Sequence, residues 1–583
     1  MENGTGYIQK KCPQLDDLVK GKNFTDVFRN FHPDVKEFTF YRANSAPSRL
    51  DRFYLSHVLM PRVKLVEHVA SLSDHCGVVV EIMLQNIDDL KVQKETFKTY
   101  WKLNVAILKD EDFLPNFVKL WSWLKSKEGK YLDIADWWDI EVKPTIKEFC
   151  IQYSSKRKAR RNDAKKFWLA FLKVALLEKN WPEVIRVKGM LHDMLQEDVY
   201  GYVVRSRFQN NASEEVASLF HANSEVKNAK KNNIKALKID GVASENKDEI
   251  EEEVTKYFNA LFNGYHGSDL SDTGVPFEPD YRELDSFLQD LGTLSDAENV
   301  DLIKEMDMEE LEYIVKKCAH NKSPGLDGLS YEFYQETFHI IKEDLLKIYQ
   351  CQLSRKRLVE SNREGVTRLA PKVDGIPSAE ELRPITLLDC DYKILSKWFV
   401  LRMKPVLPSV IKSGQLCTVD KKNILFGVSN IMSGILDVKQ RDAQACLISL
   451  DFFKAYDRVL LDFLIRVMKK MNFGDVFTAW IAMLHDGART RFILSGLTRV
   501  IEVLFSIRQG DPLAMLLYII YVEPLLLALE RKITGLKVAS IEQKLEAYCD
   551  DINLMTDSLA DFGVISEAIV KFEAVSGAIL SRN

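Results

Sequence analysis

The chain has 583 residues, 46% of them hydrophobic and 10% aromatic, with 80 Lys+Arg against 85 Asp+Glu and a formal net charge of −5. That length and apolar content support several packed domains and exclude a disordered protein. The charge is unevenly spread, with 18 Lys+Arg and 10 Asp+Glu in residues 151–240 but 6 and 21 in residues 241–320, so the total does not exclude a nucleic-acid partner. The nine cysteines include no Cys-x-x-Cys pair and no His cluster at zinc spacing, which reads as reduced thiols of a nuclear or cytoplasmic protein without structural zinc. The first residues, Met1-Glu2-Asn3-Gly4, lack the apolar core of a signal peptide.

In residues 1–90, stretches 38–42 and 49–56 alternate like strands, and 72–80 carries Asp74-His75 into an apolar strand. A carboxylate beside an imidazole suits phosphodiester chemistry, because it can orient and charge-stabilise the ring. Residues 91–240 read as mostly helical. Trp101, Trp121, Trp123, Trp137 and Trp138 recur at spacings that suit helix faces, which predicts core packing. Lys156, Arg157, Lys158, Arg160 and Arg161, followed by Lys165 and Lys166, make a basic face that is either solvated or turned to RNA phosphates or nuclear import. Residues 241–290 read as an acidic connector, in which Gly264, Gly267, Gly274 and two prolines mark a flexible stretch. Helical patterns around 249–263 and 308–319 flank it, and the next domain, 291–583, begins near 290.

In that domain Arg363, Lys372 and Arg383 are candidates for triphosphate contacts, since cations neutralise the charge that builds on a leaving pyrophosphate. The strand-like run 445–450 ends at Asp451, and a helix is expected to open over 452–457. At 507–513, Gly510 allows close backbone approach and Pro512 can start the long helix that follows. The apolar run 512–527 is barely long enough to span a bilayer and Glu523-Pro524 interrupts it, so it reads as a buried helix and no membrane association is expected. Tyr548-Cys549-Asp550-Asp551 lies between two apolar-containing runs, as a tight hairpin with two carboxylates at its tip. Such a pair also suits a solvated turn. Adjacent carboxylates repel, however, and a hard divalent cation relieves them by taking carboxylate and phosphate oxygens together.

Asp-Phe-x-Lys-Ala-Tyr-Asp at 451–457, Arg-Gln-Gly-Asp-Pro-Leu at 508–513 and Tyr-x-Asp-Asp at 548–551, preceded by the motifs at 321–328, 383–388 and 391–397, resemble the reverse transcriptase of LINE-type (non-LTR) retrotransposons. The resemblance runs from about residue 300 to the end. It implies an α+β right-hand polymerase, fingers and palm, acting as an RNA-directed DNA polymerase on an RNA template, a DNA primer and deoxynucleoside triphosphates. Asp451 and Asp550 would hold two Mg2+ (or Mn2+) ions, with Asp551 as a supporting carboxylate and the Phe452 carbonyl completing the coordination. Tyr456 would close the floor under the incoming sugar and exclude a 2′-hydroxyl, while Gln509 and Gly510 line the nascent pair. The chain departs from the family at Leu382, where a Trp is usual, and at Ala514, where a Ser is usual.

Residues 1–90 resemble the last portion of the apurinic-type endonuclease that precedes such polymerases, with Asp74 and His75 in its Ser-Asp-His motif. The other nuclease motifs would lie upstream, so an inert, partial β-sandwich with an exposed apolar face is expected. Within 91–240, segments 201–207, 217–221 and 227–234 resemble the family's N-terminal extension, associated with gripping template RNA. Residues 572–580 resemble the stretch just past the catalytic hairpin, and the sequence stops before a primer grip, thumb or Cys/His knuckle. A truncated, inactive fragment that at most binds nucleic acid is therefore the alternative expectation. The sequence is silent on oligomeric state.

Overall fold

The computed structural model describes residues 17, 19, 21–43, 46–83, 100–206, 234–264, 277–538 and 541–581. The chain divides into two compact units, residues 1–96 with 153–232 and residues 97–152 with 233–583. The helical stretch expected at 91–240 is thus shared between them.

In the first unit β1 (Phe24–Asp26) pairs with β2 (Tyr54–Ser56), and β3 (Val63–Val69) with β4 (Gly77–Ile82), both antiparallel. Two separate two-stranded sheets stand where a partial β-sandwich was expected. Leu65 and Val79 on the second sheet stay exposed, but apolar residues beside the strands are covered. Tyr41, Ala70 and Cys76 pack with Leu172, Ala175 and Leu176 of helix α1 (Lys143–Leu177) and with Val184, Val187 and Leu191 of the helix Trp181–Ser206. Helices can cover these residues because any apolar surface of matching shape removes the same area from water. Lys156, Lys158 and Arg160 on α1 are exposed. Arg161 donates to the Met194 carbonyl. The expected template-gripping stretches 217–221 and 227–233 lie outside the described residues.

The second unit holds the region that resembles a polymerase. Helix α2 (Lys247–Phe262) opens at an Asn246 cap, with Asp248 and Glu249 in the first turn favouring the positive end of the helix dipole. Its Val254, Phe258 and Leu261 are buried with Leu369, Leu382, Phe492 and Ile501. Residues 241–290 therefore contribute core to the unit they were expected only to connect. Those partners lie on β5 (Glu364–Pro371), β6 (Leu382–Leu387), β8 (Arg489–Phe492) and β9 (Ile501–Glu502), which form a sheet in the order β9-β8-β5-β6. β5 and β8 run parallel and the other pairs antiparallel. β6 is an edge strand, which is where Pro384 is tolerated without losing a ladder hydrogen bond.

A second sheet, in the order β10-β11-β7, joins β7 (Cys446–Leu450) to the hairpin β10 (Leu545–Tyr548) and β11 (Asp551–Thr556). Phe463, Tyr521 and Phe572, from the helices Leu461–Lys470, Ala514–Lys532 and Ala560–Ser576, meet edge-on at 5.4–5.7 Å between ring centroids. The helix expected to open at 452–457 starts only at Leu461. Lys454 takes a left-handed φ of 49°, and Ala455–Arg458 make one 3-10 turn first. Helix Ala514–Lys532 runs through Pro524, and among the described residues no helix is long and apolar enough to cross a membrane.

Lys143 anchors three of the motif acids. Its ammonium is buried 2.7 Å from Asp389, 3.1 Å from Asp391 and 3.3 Å from Asp327, and it donates to Ser361 at 2.9 Å. Burial alone would lower the Lys143 pKa, but the three carboxylates outweigh it and hold the group well above its ordinary value. Gly325 stands beside this cage because a Cβ there would lie 2.2 Å from an Asp389 oxygen. Of the five tryptophans expected in the core, Trp121, Trp137 and Trp138 are buried and Trp101 packs against Gly328. Trp123 is exposed and instead carries the Lys127 ammonium 3.5 Å above its ring.

Candidate active site

Tyr548 pairs with Asp551 across the hairpin, leaving Cys549-Asp550 as a two-residue turn. Cys549 has a φ of 60°, the positive value that a type II′ turn needs at its first central position and that glycine usually supplies. The strained residue is held from both sides by the buried Gln415. The Gln415 carboxamide oxygen accepts from the Cys549 amide at 2.9 Å, and its nitrogen donates to the Cys549 carbonyl at 3.2 Å. In the sheet Ile552 lies opposite Leu450, so one step further along the ladder Asp551 faces Asp451. Burial raises the Asp550 pKa, and the charges of Asp551 and Asp451 raise it further; Arg383 opposes them. The Asp451 and Asp551 side chains are exposed, open to a substrate. Behind them the chain's last described stretch clips on: the Phe453 amide donates to the Ile579 carbonyl and the Ser581 amide to that of Asp451, both at 2.8 Å.

A cationic side faces the acids. Arg383 on β6 pairs with Ala370, and Lys372 follows β5, so both stand at one end of the β5–β6 hairpin. Lys454 donates to the Leu382 carbonyl at 2.5 Å, tying the palm to the fingers edge. Burial drives its pKa down to about 8, with the nearby charges of Lys372 and Arg383 acting in the same sense. Asp457, also buried, is pushed up to about 7 by desolvation and drawn back by Lys454, Lys372 and Arg383. Gln509 reaches toward Asp457 at 3.5 Å, and its carbonyl accepts from the Thr386 amide at 2.8 Å. Gly510, at φ 117°, lies against β6 so closely that a Cβ would fall 2.2 Å from the Thr386 carbonyl oxygen. Tyr456 stacks on Tyr518 at 4.8 Å and its hydroxyl meets the Cys549 sulfur at 2.7 Å. Phe452 is buried and bridges Leu580.

Arg363 does not join this group. It sits at the opposite end of β5, which at ~3.3 Å per residue puts it roughly 25 Å from Lys372, and pairs with Asp486 at 3.1 Å. Two charges of the Arg-Gln-Gly-Asp motif serve as anchors. Asp511 is buried, accepting from Tyr392 at 2.5 Å and from Ser396, while Arg508 donates to the Leu484 carbonyl at 3.2 Å. Sequence reasoning missed Gln415, Lys454 and Asp457. The last two carried a signal, since both sit inside the 451–457 motif.

Among the described residues, the acids close enough to share a metal ion by side-chain position alone are Asp327, Asp389 and Asp391, and the Lys143 ammonium already fills their centre. The 451/550/551 set differs: Asp451 and Asp551 are open and Asp550 is half-buried, the three are mutually repelling hard-oxygen donors, and Arg383 supplies an opposing charge to Asp550. That donor chemistry fits Mg2+.

In the first unit His75 takes Asp51 as its partner rather than its neighbour Asp74. The ring Nδ1 lies 2.8 Å from Asp51, which raises the imidazole pKa, whereas the Asp74 carboxylate accepts from Ser73 at 3.1 Å.

Carboxylates on a strand end and a neighbouring hairpin tip, with cations at the edge of a second sheet, are the arrangement of a polymerase palm and fingers. Residues 370–583 match the family described as reverse transcriptase (RNA-dependent DNA polymerase). The chain is 28% identical over 579 residues to the Transposon TX1 uncharacterized 149 kDa protein of Xenopus laevis, across 97% of this chain and 43% of that protein. It is 21% identical over 235 residues to the Retrovirus-related Pol polyprotein from type-1 retrotransposable element R2 of Bradysia coprophila, across 40% of this chain and 26% of that protein. The chain therefore spans less than half the length of these relatives. Residues 370–583 are thus similar to reverse transcriptases, and the chain as a whole is similar to these two transposon proteins.

Proposed function

We propose that the chain is an RNA-directed DNA polymerase, adding deoxynucleotides to a DNA primer on an RNA template, and that Asp451, Asp550 and Asp551 carry the chemistry. The observation that carries this reading is the grouping of Asp451, Asp550 and Asp551 with Arg383 acting on Asp550, and with Lys372 at the same end of the β5–β6 hairpin as Arg383. Mg2+, held by those carboxylates and the Phe452 carbonyl, would activate the primer hydroxyl and neutralise charge on the α-phosphate and the leaving pyrophosphate. Arg383 and Lys372 bind the β- and γ-phosphates and counter the charge that develops as the bond to the pyrophosphate breaks. Lys454 holds β6, and with it Arg383, at a fixed distance from the acids. The Tyr456 ring, pinned between Tyr518 and Cys549, forms the floor that a ribose 2′-hydroxyl would strike. Gly510 keeps the 508–513 loop low enough for the template pair to pass.

The test is primer extension on an RNA template with Mg2+ and deoxynucleotides, comparing the chain with Asp550→Ala/Asp551→Ala. Extension by the first alone supports the proposal. No extension by either, with salt-sensitive RNA binding kept by both, favours a second reading in which the chain only binds nucleic acid; the exposed Lys156, Lys158 and Arg160 support that reading. The front unit is on this view nuclease-like, its His75–Asp51 pair suited to phosphodiester chemistry, and the expected compartment is the nucleus or the cytoplasm.

A further inference from the structure

The catalytic turn rests on a second cysteine. Residues 414–417 run alongside β10 as a short parallel strand, with the Leu416 amide donating to the Ala547 carbonyl at 2.8 Å and the Ala547 amide to the Gly414 carbonyl at 3.0 Å. Gln415 bridges Ala547 in that pairing, so two residues further on Cys417 stands level with Cys549. Paired positions on neighbouring strands are ~4.8 Å apart, inside the Cα separation that a disulfide spans. A further contact holds the pair in place. One carboxamide oxygen, that of Gln415, accepts from the Cys417 amide at 3.1 Å and from the Cys549 amide at 2.9 Å, so both cysteines are fixed by one side chain. Both side chains are buried and reduced, and the Cys549 sulfur also meets the Tyr456 hydroxyl.

We propose that Cys417 and Cys549 form a reversible dithiol–disulfide site beneath the catalytic turn, closed by a peroxide-class oxidant and reopened by thiols. The balance is simple. The Cys417 sulfur attacks one peroxide oxygen, the O–O bond breaks, and the departing hydroxide leaves as water with the thiol's proton, giving a sulfenic acid. The Cys549 sulfur then attacks that sulfur, the S–O bond breaks, and a second water leaves with the Cys549 proton. Two thiols and one peroxide become one disulfide and two waters, and two equivalents of an external thiol reverse it. Because Cys549 precedes Asp550, the bridge ties the turn to residues 414–417 and draws the Cys549 sulfur from Tyr456. The catalytic carboxylate and the floor of the sugar pocket are thereby altered together.

The experiment treats the folded, pre-reduced chain with hydrogen peroxide, blocks remaining thiols by alkylation, and maps peptides by mass spectrometry without reduction. The expected product joins the Cys417 and Cys549 peptides, at least about tenfold above any other cysteine pair, vanishes on adding dithiothreitol, and is absent from Cys417→Ala. Recovery of both thiols unbridged, or as separate sulfinic acids, overturns the proposal, and so does a bridge that forms equally well in urea. Primer extension is measured on the same samples. About tenfold loss that dithiothreitol restores is expected, and a bridged chain that extends as fast as the reduced one overturns the link to the active site. A chain inactive before and after oxidation overturns the polymerase reading and leaves the peptide map unaffected.

Discussion

Replacing Lys143 by Met removes one charge from a cage that water does not reach. Met matches the side chain in length, so the change is electrostatic rather than a cavity. The cage holds three carboxylates, and burial pushes the pKa values of Asp327 and Asp389 up even with the ammonium present. Without it, the cheapest response that keeps the cage at its present charge is to protonate one more acid. Against a free carboxyl pKa of ~3.9 that costs about 4 kcal/mol at pH 7, at 1.36 kcal/mol per unit, and about 1.5 kcal/mol at pH 5. The value at pH 7 falls in the range of 3–5 kcal/mol typical of breaking a buried ion pair. The check is urea denaturation followed by tryptophan fluorescence at the two pH values, since the buried Trp138 indole donates to Asp391 at 2.9 Å and reports on the cage directly. Adding Asp389→Asn to Lys143→Met should recover most of the loss. A loss below about 1 kcal/mol at pH 7, or one that does not shrink on acidification, would refute the reasoning.

Arg383→Ala should lower kcat/KM for deoxynucleotides by roughly 10–1,000-fold in primer extension, as loss of a phosphate-stabilising donor does, whereas Arg363→Ala should change it by no more than about twofold. Gln415→Ala frees the strained Cys549, so kcat should drop by about tenfold or more while the unfolding free energy of the unit falls by about 1–3 kcal/mol. Glu523 is fully buried, and burial raises its pKa to about 7 although it accepts from the Lys412 and Ser413 amides at 2.7 and 2.9 Å. A raised folded-state pKa means its contribution is complete below pH ~4.5 and is lost as pH rises through about 7. Wild-type stability should fall between pH 5 and pH 8 by up to about 3 kcal/mol, and Glu523→Gln should flatten that slope in thermal denaturation.

The palm was legible because its parts repeat local rules. Alternation around 445–450 and 545–556 marked strands, and Asp-Asp between two apolar runs marked the hairpin, since each depends on neighbours a few residues away. What could not be read was register and distance. Nothing local distinguishes Arg363 from Lys372, yet they stand at opposite ends of one strand. Gln415 acts on a turn more than a hundred residues later, and a lone polar residue has no periodic signature. Lys143 looks like one more charge in a basic helix until Asp327, Asp389 and Asp391 surround it. Asp51 was passed over for Asp74 because adjacency in sequence was taken for adjacency in space. The same limit made the acidic segment 241–290 read as a connector, when one face of α2 closes the core under the fingers sheet.

The pairing of residues 579–581 with 451–453 has a consequence for how the protein is made. The two stretches are separated by roughly 130 residues of synthesis, which at ~5–20 residues per second takes about 6–26 seconds. During that interval β7 has been translated but has neither β11 beside it nor its closing clip. Its Leu450, buried in the finished sheet, and the apolar helix Ala514–Lys532 stay open to the ribosome's surroundings. Strand pairing between distant segments is intrinsically slow. A chaperone or bound RNA that shields this half-built sheet should therefore raise the yield of folded chain more than any change in the finished site.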